Sequence, residues 1–136
     1  KRLLSDDKEV RLAAAKAWSV WEASISKHDI NEDMICEYSR GEFPLAFAGI
    51  ENHYFMNQLF LEPNQLLDGC KHIEHIPMHI IQGRYDIVCP MRSAFDLHRR
   101  LPHSTLHVIP DAGHSLSEPG TALKHVELLD ELVVTV

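Results

Sequence analysis

No apolar run in the 136-residue sequence approaches the roughly 20 residues that a membrane-spanning helix needs. Positive charge is also short: 13 Lys and Arg stand against 20 Asp and Glu, a net charge of −7 at pH 7. No basic cluster offsets that balance, which argues against a nucleic-acid surface. Cysteine is scarce. Cys36, Cys70 and Cys89 are odd in number and form no C-x-x-C, so reduced thiols in a cytoplasmic protein are expected rather than a disulfide framework. The opening Lys1-Arg2-Leu3-Leu4 runs into charged residues without the apolar core of a signal peptide, and the absence of Met at position 1 leads us to expect further coding sequence upstream. There is no internal repeat and no low-complexity stretch. What is present is ordinary for a globular chain, with 45% hydrophobic and 24% charged residues, and the length suits one domain with a moderate core.

The chain changes character near residue 76. Before it, helical signals dominate. Ser5 is placed to cap a helix whose first turn holds Asp6 and Asp7, where the helix dipole favours negative charge. Val10, Ala13, Ala14, Ala17, Trp18, Trp21 and Ile25 follow at three- and four-residue spacings, so a helix with one apolar stripe is expected to about Lys27. A short helix is expected at Glu32–Tyr38, broken by Gly41. A second long one starts at Pro44, a residue suited to a first turn, and runs to about Leu59. Pro63 opens a short helical or turn segment ending near Gly69.

After residue 76 the grammar alternates. Met78–Gln82 reads as a strand between Pro77 and Gly83, Met91–Leu101 as a helix, Thr105–Ile109 as a strand and Pro119–Leu132 as a closing helix. Strand and helix in alternation at these lengths make parallel crossovers. Two parallel strands cannot bury their faces and edges alone, so this half reads as the end of a larger sheet and the chain as incomplete. In open α/β sheets functional groups gather at the carboxyl ends of strands. Asp86, in Gly83-Arg84-Tyr85-Asp86-Ile87-Val88-Cys89-Pro90, and His114, in Pro110-Asp111-Ala112-Gly113-His114-Ser115, both stand there. A carboxylate that orients an imidazole is the base-and-orienter half of a catalytic set; a loop-capping Asp and an ordinary loop His are the competing account of the same residues.

These two loops, together with Glu118-Pro119-Gly120, resemble the C-terminal part of the α/β-hydrolase fold, and more narrowly that of the proline iminopeptidases. Trp18-Ser19-Val20-Trp21-Glu22 and Ile50-Glu51-Asn52-His53-Tyr54-Phe55 resemble the helical cap of the same family, and the likeness extends from about Trp18 to Gly120. It implies an α/β class chain: the last parallel strands and helices of an α/β-hydrolase core at 76–136, preceded by part of a helical cap at 1–75. It implies further that Asp86 and His114 are two members of a Ser-His-Asp triad that appears in the order Ser, Asp, His. The G-x-S-x-G elbow that would hold the nucleophile does not occur in this sequence, so the 136 residues are expected to be inactive by themselves and to need the missing N-terminal part of the same fold.

By the same resemblance Glu22 and Glu51 match acidic cap residues that hold a substrate's protonated terminal amine. Phe55 matches an aromatic packed on a pyrrolidine ring, and Cys89 a cysteine lining the same pocket. The implied substrates are peptides with N-terminal proline, with no metal and no organic cofactor. Gly49, where an Arg is expected, and Ala23, where a Gly is, depart from the family pattern beside these residues. For each glutamate a solvated helix charge is the competing account, for Phe55 ordinary packing, and for Cys89 an inert thiol.

Three rivals remain open. Cys70, His72, His75 and His79 include types that zinc accepts, but Pro77 interrupts any helix joining them and no regular ligand spacing results, so no metal is expected. Another α/β-hydrolase, such as an esterase or an epoxide or haloalkane hydrolase, would share the Asp and His without the cap glutamates. A non-catalytic interaction domain would need neither pair.

Overall fold

The computed structural model describes residues 1–134. They divide into two units, one made of Lys1–Ser24 and Ile30–Pro63, the other of Ile25–Asp29 and the residues from Asn64 on.

The first unit is helical. A 3-10 turn at Arg2–Leu4 precedes α1, Lys8–Ile25. Asp7 rather than the expected Ser5 caps α1: its Oδ1 accepts the backbone N–H groups of Glu9 at 2.9 Å and Val10 at 3.3 Å. Ser5 stands two residues upstream, its N–H on the Arg2 carbonyl that closes the 3-10 turn and its Oγ accepting the Asp7 N–H at 3.2 Å. Helix α1 buries Ala15, Ser19, Glu22 and Ala23, the three- and four-residue spacing of one face. Helix α2, Glu32–Tyr38, begins at Asn31, whose side chain accepts the Met34 N–H at 2.8 Å. Helix α3, Phe43–Met56, has Pro44 buried in its first turn. Tyr38, Phe43 and Phe47 join α2 to α3, with ring centroids 5.0, 5.3 and 5.5 Å apart.

Helix α3 ends before the expected Leu59. Gln58, Leu59 and Phe60 have φ of 52, 55 and 58°, a left-handed turn closed by the Phe60 N–H on the Asn57 carbonyl and the Leu61 N–H on that of Gln58. Left-handed backbone costs non-glycine residues about 1–2 kcal/mol each, and none of the three is glycine, so nothing in the composition announces the stop.

The second unit contains α4 (Gln65–Gly69), a 3-10 turn at Cys70–His72, β1 (Met78–Gly83), α5 (Met91–Arg100), β2 (Ser104–Ile109) and α6 (Pro119–Val134). The strands pair in parallel from Met78 opposite Ser104 to Gly83 opposite Ile109, with α5 as the crossover, so the α/β reading holds. Ala94, Leu101, Ile109, Ala112 and Leu128 are buried. Leu123, Val126, Leu129 and Leu132 of α6 are exposed instead, as follows when a parallel sheet has too few strands to cover its helices. Among the described residues no helix is long and apolar enough to cross a membrane.

Candidate functional site

Backbone pairing brings the two strand-end loops of the second unit together. The Arg84 N–H donates to the Ile109 carbonyl at 2.8 Å and the Tyr85 N–H to that of Ala112 at 2.9 Å. This approach depends on glycine. A Cβ on Gly83 would lie 2.7 Å from the Ala112 carbonyl oxygen, and one on Gly113 2.8 Å from the backbone nitrogen of His28, closer than real side chains come.

His114 and Asp86 meet on this frame. Nδ1 of His114 is 3.0 Å from Oδ2 of Asp86, whose side chain is 6% exposed against 40% for the imidazole. A carboxylate only accepts, so Nδ1 carries a proton, and in the neutral ring the lone pair then falls to Nε2. The carboxylate is held on both oxygens. Oδ1 accepts the backbone N–H groups of Val88 at 3.0 Å and Cys89 at 2.7 Å, and Oδ2 also accepts from Gln82 Nε2 at 3.1 Å. Gln82 reaches the Cys89 carbonyl too, at 3.0 Å, closing the loop around Asp86. Such an arrangement fixes an imidazole tautomer and stabilises its charged form, which is what proton transfer by His requires.

The His114 loop has a second anchor. Glu118, 7% exposed, accepts the Gly113 N–H at 3.0 Å and the His28 N–H at 2.5 Å on one oxygen, Oε1. The Ser115 N–H donates to the Ser26 carbonyl at 2.7 Å, and the His28 ring lies 4.6 Å from that of Tyr85. Nothing local in the sequence marks Gln82 and Glu118 for such a part: Gln82 is a polar residue near the end of a strand, and Glu118 stands simply ahead of Pro119 and Gly120.

In the first unit Glu51 and Phe55 come together around Trp18. The indole Nε1–H donates to Glu51 Oε2 at 2.5 Å, and the Phe55 ring tilts against Trp18 at 6.2 Å, with Trp21 edge-on at 6.5 Å. Phe55 is exposed and Glu51 half-buried. Glu22 lies one turn after Trp18 on α1 and is 8% exposed, so it is not a solvated helix charge. An open groove of ≈ 880 Å³ adjoins this cluster, lined by Trp18, Asn52, Val10 and Leu3 among others. Cys89 lies in the second unit and is exposed; its backbone N–H meets Asp86 and its carbonyl meets Gln82.

The histidine-rich connector forms no ligand set. Cys70 is buried with its thiol directed to the Leu66 carbonyl at 3.4 Å, and His79 Nδ1 faces His107 Nε2 at 2.9 Å. Among the described residues no three His, Cys, Asp or Glu side chains converge as metal ligands.

No family model matches the chain. Curated relatives do. A probable proline iminopeptidase of Leptolyngbya boryana is 49% identical over 134 residues, 98% of this chain and 42% of that protein. The proline iminopeptidase of Xanthomonas citri is 51% identical over 120 residues, 88% of this chain and 38% of that protein. That of Arabidopsis thaliana is 46% identical over 127 residues, 93% of this chain and 33% of the relative. The chain thus spans well under half the length of these relatives, and the part it matches is their C-terminal portion. Its strands and helices are those that close an α/β-hydrolase fold.

Proposed function

We propose that this homologue of the C-terminal portion of proline iminopeptidases is part of a serine-type aminopeptidase that releases N-terminal proline from peptides. The observation that carries the reading is the Asp86–His114 pair at the carboxyl ends of two parallel strands, with its carboxylate buried and its imidazole half in solvent. In this reading residues 76–136 close the hydrolase core, 1–75 form part of its helical cap, and the serine comes from the N-terminal part of the same fold.

The chemistry follows from the residues. Nε2 of His114 takes the hydroxyl proton as the serine oxygen bonds to the proline carbonyl carbon. It then returns that proton to the departing amine as the C–N bond breaks, leaving an acyl-enzyme. A water attacks the ester next, its proton passing to Nε2 and then to the serine oxygen as proline leaves. Asp86 keeps Nδ1 protonated and stabilises the imidazolium between steps. Glu22 and Glu51 hold the protonated proline nitrogen, a charge-assisted pairing that a substrate without a free amine cannot make. The Trp18 indole orients Glu51, Phe55 offers a face to the pyrrolidine ring, and Cys89 lines the pocket. No step calls for a metal or organic cofactor. A cytoplasmic location accords with Cys36, Cys70 and Cys89 standing outside any disulfide.

The test is hydrolysis of a proline amide by the full-length protein, beside a simple ester and an N-acetylated proline amide. Asp86→Asn is expected to lower kcat by about 10⁴-fold, as loss of the orienting carboxylate does in such triads. Turnover of the ester with none of the proline amide would instead mark an esterase. Full proline-amide activity in Asp86→Asn would remove the pair from the mechanism.

A further inference from the structure

We infer that Glu118 is a positioning residue for His114, acting through the backbone of Gly113 and through the segment 25–29. The inference rests on the catalytic reading of His114 given above, and its evidence is independent of substrate.

Glu118 stands at the N-cap of α6. Its carbonyl accepts the Ala122 N–H at 2.9 Å, and Pro119 follows as the first helical residue. A side chain at that place ordinarily satisfies the free N–H groups of its own helix, and short Ser, Thr, Asp or Asn do so best. Here a longer glutamate reaches away from the helix instead. Oε1 takes the N–H of Gly113, the residue before His114, at 3.0 Å and the N–H of His28 at 2.5 Å. Both bonds are charge-assisted, which makes them stronger than neutral ones. Gly113 is buried, so its N–H has no water to turn to if the carboxylate is removed.

The rest of the clasp runs through the same residues. The Ser115 N–H meets the Ser26 carbonyl at 2.7 Å, and Gly113 lacks the Cβ that would strike Lys27 and His28. Glu118 therefore ties Gly113, the residue before His114, to His28 of segment 25–29, while the Ser26 carbonyl of the same segment holds Ser115, the residue after it. Asp86 sets the imidazole tautomer; Glu118 sets where the backbone presents that imidazole. The 3.0 Å Nδ1–Oδ2 contact needs both.

Two variants of the full-length protein test this. Glu118→Gln retains an oxygen that can accept both N–H groups, whereas Glu118→Ala leaves them unmet. The alanine variant is expected to lose about 100-fold in kcat on a proline amide, the size of effect a small misplacement of a catalytic group produces, with KM within about threefold. In NMR spectra its downfield His114 Nδ1–H resonance should broaden or shift, while the amides of the first unit stay put. The glutamine variant should hold kcat within about threefold of wild type and keep that resonance. An alanine variant with unchanged kcat and an unchanged Nδ1–H signal would overturn the assignment, and so would a glutamine variant as impaired as alanine. Should alanine fail to fold, Glu118→Asp, one methylene too short to span the clasp, replaces it under the same two criteria. A wild-type protein inert toward proline amides would defeat the functional reading, while the Nδ1–H resonance would still decide the role of Glu118.

Discussion

The two units hold their candidate residues by different means. In the first, Glu51 and Phe55 are arranged by side chains: an indole N–H and two aromatic faces around Trp18. In the second, Asp86 and His114 are arranged mainly by the main chain, through the Val88, Cys89 and Gly113 N–H groups and two glycines that permit close approach. Side-chain contacts adapt by rotamer changes; hydrogen-bonded backbone does not. On the proposed reading, binding an amine and a ring tolerates the first kind of support, and moving a proton along one line demands the second.

That contrast is sharpest at Glu51. Replacing it by Gln keeps an acceptor for the Trp18 indole and removes the charge. Loss of one charge-assisted bond, about 1.5–3 kcal/mol, is expected to lower kcat/KM for a proline amide by about 10- to 100-fold, mainly through KM. A fall confined to kcat in steady-state kinetics would break the comparison, because the first unit would then be acting on the chemical step.

One substitution made in both units gives effects of opposite sign, read in stability rather than in activity. Gly83→Ala puts a methyl group into the Gly113 and Ala112 carbonyls and is expected to destabilise by about 3 kcal/mol or more in urea unfolding. Gly49→Ala, inside α3 with open space around the new Cβ, should stabilise by about 0.5–1 kcal/mol. Equal responses at the two positions would mean that the second unit is no more tightly built than the first.

The smallest expected effect is on pH dependence. Burial, the neighbouring His79 and Lys124 hold the His107 pKa below its ordinary 6.5, with Glu131 opposing them. The unfolded chain then binds more protons than the folded one near that value, so stability falls as the pH drops through 6.5. Thermal unfolding at pH 5.5 and 7.5 should show a gap that His107→Asn narrows; a gap left intact would assign the dependence elsewhere.

The sequence was most legible where proline and glycine punctuate it. Pro77 and Gly83 bracket β1, Pro90 precedes α5 and Pro119 starts α6, and each of these elements lies within a residue or two of its expected bounds. The meeting of Asp86 and His114 was legible because both follow the carboxyl ends of neighbouring strands, whatever the details of packing. Asp7 caps α1 in place of Ser5, which stands two residues upstream, and α3 stops at Met56 on a left-handed turn built without glycine. Gln82, Glu118 and the Trp18–Glu51 bond were illegible for a different reason. They depend on partners brought close by the fold, up to ninety positions away for His28 and Glu118, and no local pattern encodes such a meeting.

The segment 25–29 has one more consequence. Because the chain enters the second unit at Ile25, leaves it after Asp29 and returns at Asn64, no single cut through the backbone separates the two units. A piece beginning at Asn64 would keep Asp86, His114 and Glu118 yet lose the Ser26 carbonyl and the His28 amide that complete the clasp. Order of synthesis matters for the same reason. The His28 side of the clasp leaves the ribosome first and the Glu118 side ninety residues later, so the loop bearing His114 takes its final hydrogen bonds only when the two ends of a long circuit have found each other.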